Sequence, residues 1–146
     1  MAPYFRARNR ILTCSLAILA AIAAPVRADD DPKGVAFFET KIRPVLANDC
    51  LPCHGGKKSE SGLKVDSRAS LLQGGDRGPA IEAGKPDQSL LVRAIRHADD
   101  DLKMPPKRRL PAEVATAFAQ WIAEGAVWPD ANTQNRIEQE IGRAHV

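Results

Sequence analysis

A chain of 146 residues has room for one small domain, and a hydrophobic content of 44% lets that domain bury a core. The formal charge is +3, but four of the 21 basic residues (Arg6, Arg8, Arg10 and Arg27) fall within the first 28 positions, which hold no acid. The remaining 17 basic residues face 18 acidic ones, so the body of the chain is near neutral and no nucleic-acid partner is expected.

In chain order, residues 1–28 read as a secretory signal peptide. Three arginines precede an apolar run from Ile11 to Ala24, and Val26 and Ala28 stand at the small-residue positions before Asp29, which predicts cleavage after Ala28. This run of fourteen residues falls short of the roughly 20 that span a bilayer, so no stable membrane insertion is expected after cleavage. Cys14 leaves with the leader, and the exported, periplasmic product keeps Cys50 and Cys53 alone in an oxidising compartment.

Phe37, Phe38, Ile42, Val45 and Leu46 recur at helical spacing, and Pro44 is expected to kink or restart that helix. Directly after it comes Cys50-Leu51-Pro52-Cys53-His54-Gly55-Gly56. A structural disulfide usually closes a longer loop, a thioredoxin-type pair sits in a βαβ unit, and zinc needs a second ligand pair; none of these contexts is present. Two thiols two residues apart with a histidine adjoining match covalent attachment of one haem c, the cysteines taking the two vinyl groups and His54 the iron.

A short extended piece (Leu63, Val65), a turn of helix capped by Asp66, and a glycine- and proline-punctuated loop follow. Leu90, Leu91, Ala94 and Ile95 mark a second helix opened by Asp87 or Ser89. Met104, the only methionine after Met1, stands between charged runs and before Pro105 and Pro106, which forbid helix and stiffen the loop. That setting presents its thioether as second axial ligand, with His97 and His145 as rivals. Val114, Phe118, Trp121 and Ile122 define a third helix, with Pro111 near its start and Gly125 near its end.

Arg77, Arg93 and Arg96 are candidates to reach the haem propionates, each equally readable as a solvated surface residue. Lys107, Arg108 and Arg109 can steer an acidic partner, but Asp99 to Asp101 blunt that field, and both runs read as solvated faces. Residues 131–146 form a polar tail. Its end, EIGRAHV, back-translates into a widely used sequencing adapter (GAG-ATC-GGA-AGA-GCA-CAC-GTC). The reading frame is therefore expected to run off a genomic fragment, the natural protein continuing beyond about Gln139, which would leave His145 without meaning; a natural polar helix from Ala131 is the alternative.

The stretches FFETKIRPVL, CLPCHGG, GLKVDSR, LLQGGD, GKPDQSLL, MPP and WIAEGAVWP together resemble the planctomycete-type cytochrome c domain over about residues 35 to 129. The resemblance implies thioether attachment at Cys50 and Cys53, proximal ligation by His54, distal ligation by Met104 and single-electron transfer. Pro111 stands where relatives often place a Ser or Thr helix cap. The expected fold is all-α: a small helical domain, residues 29–130, wrapped around one covalent haem, which supplies much of the apolar core and without which the chain should fold poorly. The expected role is electron carriage without catalysis, as the N-terminal part of a larger protein, with a redox partner protein or fused downstream domain. Two alternatives stand beside it: a haem enzyme or gas sensor with an open sixth site, and a docking module of a polymer-processing protein.

Overall fold

The computed structural model describes residues 31–144; the expected leader, its cleavage after Ala28 and His145 lie outside them. Among the described residues the chain is helical and no strand forms.

Helical structure begins at α1 (Pro32–Phe37), where Asp31 caps the first turn by accepting hydrogen bonds from the amides of Lys33 and Gly34. It continues without a break through α2 (Arg43–Val45) to α3 (Leu51–His54), with two wider π turns inserted at Phe38–Ile42 and Leu46–Cys50. Each π turn closes one residue before a proline. The Arg43 amide reaches back to the Phe38 carbonyl ahead of Pro44, and the Leu51 amide to the Leu46 carbonyl ahead of Pro52. A proline has no N–H and its ring crowds the carbonyl four residues back, so widening the turn keeps the run helical where an α turn would break. At Pro44 α-helical geometry resumes after the π turn, and the helical run passes through the proline without a break.

The π turns also decide which side chains share a face. Phe38, Ile42, Leu46, Cys50 and His54 stand four residues apart. A pure α-helix would rotate each step by about 40°, carrying His54 well away from Phe38's face. Two wider turns oppose that drift. Phe38, Ile42 and Leu46 are buried in the core, and the same row delivers Cys50 and His54 to the cavity described below.

Ser67 caps α4 (Arg68–Gln73), accepting from the Ser70 amide, while Asp66 supports it one residue earlier by accepting from the Ser70 hydroxyl. The expected cap is thus displaced by one residue. Ser89 stands at the N-cap of α5 (Leu90–Ile95) but does not cap it: fully buried, its hydroxyl donates to the Lys85 carbonyl and accepts from the Glu82 amide, pinning the preceding loop. Asp87 instead lies in a short 3-10 turn, Pro86–Gln88, and pairs with Arg96.

The longest core helix, α6 (Ala112–Ala123), starts after Pro111, which gives no side-chain cap, and buries Ala115, Phe118, Trp121 and Ile122. Its aromatic face meets the first helical run. Trp121 lies 5.9 Å from Phe38 and 6.0 Å from Phe118 between ring centroids, Phe38 lies 4.6 Å from Trp128, and the Trp121 indole donates to the Val127 carbonyl at 2.7 Å. Arg68 closes the end of α6 by donating to the carbonyls of Gly125 and Ala126. A final helix, α7 (Ala131–Ala144), follows. The aromatic cluster packs α6 against the first run, and Leu91 and Ile95 of α5 belong both to the core and to the cavity wall.

Candidate functional site

The cavity encloses about 950 Å³ of space between atoms, its open mouth included. Cys50 and His54 reach it from the end of the first helical run, Leu63 and Val65 from the extended piece, Leu90, Leu91, Ala94 and Ile95 from α5, and Leu102, Met104 and Pro105 from the loop beyond. Residues 50 and 104 thus meet across one largely apolar space although most of the domain separates them in sequence. Cys53 is exposed and lies outside the lining, as does His97.

His54 is held from two sides. The Val65 amide donates to its carbonyl at 2.9 Å, and its ring Nδ1 lies 3.3 Å from the Leu63 carbonyl. With Nδ1 protonated and donating to that carbonyl, the lone pair rests on Nε2, the tautomer a metal-ligating imidazole requires. The Leu63 carbonyl is a functional group that sequence reading missed, because a backbone acceptor leaves no signature in residue identity.

Met104 is anchored by its own amide, which donates to the Ala94 carbonyl at 3.0 Å and so ties the loop to α5. A second tie joins Arg108, four residues on, to Asp49 beside Cys50. The loop that carries the thioether is therefore clipped to the element that carries the thiol and the imidazole. His97, the rival donor, sits just past α5 with φ +53°, and its Nε2 is buried without a hydrogen-bond partner.

The charged runs are mostly engaged within the chain. Arg93 pairs with Asp99 at 2.5 Å, Lys103 with Asp100 at 2.9 Å, and Arg109 donates to the Arg96 carbonyl. Arg93 and Arg96 are both paired away from the cavity; Arg77 alone of the three propionate candidates lines it.

The two thiols differ. Burial, then the neighbouring Asp49 and Cys53, push the Cys50 thiol up to about 11, while Cys53 stands in solvent.

Residues 50–108 match the family model of planctomycete cytochrome C. The match covers 59 of the chain's 146 residues. The matched segment begins on Cys50 and takes in His54, the 74–78 turn, α5 and Met104, which is the whole of the cavity wall. No curated protein and no solved structure matches the chain. Cytochrome c domains carry haem and serve electron transfer rather than catalysis, and they are typically exported. Among the described residues no helix is long and apolar enough to cross a membrane.

The residues present fit such a group. The wall is largely apolar, as a porphyrin requires, it offers one imidazole and one thioether, and Cys50 stands in the same space. Among the described residues no cluster of three or more His, Cys, Asp or Glu gathers closely enough to hold a metal ion, so a zinc site has no ligand set here.

Proposed function

We propose that this chain is an exported mono-haem c-type cytochrome domain that passes single electrons, the N-terminal part of a larger protein, with a leader at 1–28, the haem domain at 29–130 and a polar tail at 131–146. One observation supports the reading: Cys50 and His54 from the first helical run and Met104 from a loop some fifty residues on line one largely apolar cavity inside the segment that matches the cytochrome family.

Cys50 and Cys53 would hold the haem by thioether bonds, His54 would take the proximal side of the iron and Met104 the distal side. The bound iron would supply a one-electron ferric/ferrous couple. The chain's own residues do the rest. The Leu63 carbonyl fixes the imidazole ring and its tautomer. Leu91, Ala94 and Ile95 make their part of the wall apolar, and a low local dielectric there would disfavour the more highly charged ferric state. The Ala94 carbonyl and the Asp49–Arg108 pair hold the Met104 loop before any ligand arrives, which reduces the ordering cost of a weak thioether bond. A redox partner protein or a fused downstream domain would exchange the electron at the open mouth.

Covalent attachment takes place outside the cytoplasm, so the leader and the haem are linked. Expressed with a cytochrome c maturation system, the full chain should give a product whose haem stain survives denaturing electrophoresis. Removal of residues 1–28 should abolish that stain. Stain retained by the shortened chain would refute the assignment of the leader, and no stain from either would refute the haem reading.

A further inference from the structure

The cavity lining contains one basic side chain, Arg77, and two acidic ones, Asp76 and Asp101. Among the described residues no carboxylate pairs with Arg77, whereas Arg93 and Arg96 are bound to Asp99 and Asp87. The turn that carries it is closed on itself: Gly75 and Gly78 exchange both backbone hydrogen bonds, at 3.1 and 2.9 Å, and the Asp76 amide donates to the Ser61 carbonyl at 2.9 Å. It also leaves no room for side chains at its first two glycines. A Cβ on Gly74 would meet the Gly78 carbonyl oxygen at 1.8 Å, and one on Gly75 would meet the Ser61 carbonyl oxygen at 2.4 Å. A turn closed on itself and packed against residues 61–63 thus places Arg77, exposed and without a carboxylate partner among the described residues, in the lining of a largely apolar space whose other charged lining residues are Asp76 and Asp101.

Resting on the haem reading above, we propose that Arg77 is the anchor for a haem propionate, fixing which edge of the ring faces the mouth and tuning the iron's potential. A porphyrin brings two carboxylates to an otherwise apolar cavity. Asp76 and Asp101 repel them, and a guanidinium pairs a carboxylate through two parallel hydrogen bonds. The cation also disfavours the ferric state, so its loss lowers the potential.

Two measurements test this. In the haem-loaded full chain, Arg77→Leu should shift the ferric/ferrous equilibrium about three- to tenfold towards ferric, a tenfold shift being about 59 mV, while Arg77→Lys keeps most of the wild-type value. Arg96→Leu, already paired and outside the cavity, should leave it unchanged. In the haem-free full chain, Arg77→Leu should weaken binding of zinc mesoporphyrin about three- to tenfold, since the pair is partly solvated, and leave binding of its dimethyl ester unaltered. Equal loss for acid and ester overturns the proposal, as does an Arg77→Leu potential equal to wild type or matched by Arg96→Leu. A wild-type chain that takes up no haem overturns the functional reading instead, and is seen before either variant is made.

Discussion

Met104→Ala is expected to keep its covalent haem and to lose its closed iron. Cys50, Cys53 and His54 are untouched by the change, and the Leu63 carbonyl still orients the imidazole. What disappears is the thioether that the Ala94 carbonyl and the Asp49–Arg108 pair hold in the cavity. The variant should lose the weak far-red sulfur-to-iron absorption, bind carbon monoxide when reduced, and fall in potential by roughly a tenth of a volt or more, within the range of about 0.8 V that axial ligands span. His97→Ala is the matched control. His97 does not line the cavity, so its removal should leave the spectrum unchanged. If His97→Ala instead abolishes the low-spin spectrum while Met104→Ala leaves it intact, the distal ligand is an imidazole and the proposal for Met104 fails. The wild-type result separates the functional classes too: a reduced wild-type protein that binds carbon monoxide readily would be a sensor or catalyst with an open sixth site.

Trp121→Ala carries the largest expected cost in stability. The side chain is 1% exposed, sits within 6.4 Å of three other aromatic rings, and gives its only N–H to the Val127 carbonyl. Truncating a buried indole costs about 3–5 kcal/mol through lost transfer energy and the cavity left behind. In a domain of this size each kcal/mol is worth roughly 4–8 °C, so the melting temperature should drop by at least about 12 °C. Trp121→Phe keeps the ring contacts and loses only the hydrogen bond, at a cost of about 1 kcal/mol plus the smaller ring's unfilled volume. Thermal melts of the haem-loaded proteins decide it. A drop below about 5 °C for the alanine variant would mean that the aromatic cluster does not hold α6 to the first helical run.

The helical elements and the candidate ligands were legible in the sequence by itself. Cys50, Cys53 and His54 declare themselves because their spacing is local, and Met104 because two prolines and charged neighbours set it apart from any apolar stripe. The spacing of Val114, Phe118, Trp121 and Ile122 located α6 to within a few residues, since amphipathic periodicity is written in side-chain identity. Helix caps were less legible. Asp66, Ser67, Asp87 and Ser89 are all plausible caps in sequence, and only the folded backbone shows which oxygen faces an amide.

Three features belong to the tertiary structure. The first is the pair of π turns: residue identity flags Pro44 and Pro52, but whether the chain kinks, restarts or widens depends on what the row from Phe38 to His54 packs against. The second is the hydrogen bond from His54 to Leu63, made to a carbonyl that every residue possesses. The third is the choice among Arg77, Arg93 and Arg96. In sequence the three are equivalent; in space two meet nearby aspartates and one meets the cavity, because pairing of exposed charges is fixed by distances between elements that no local pattern encodes.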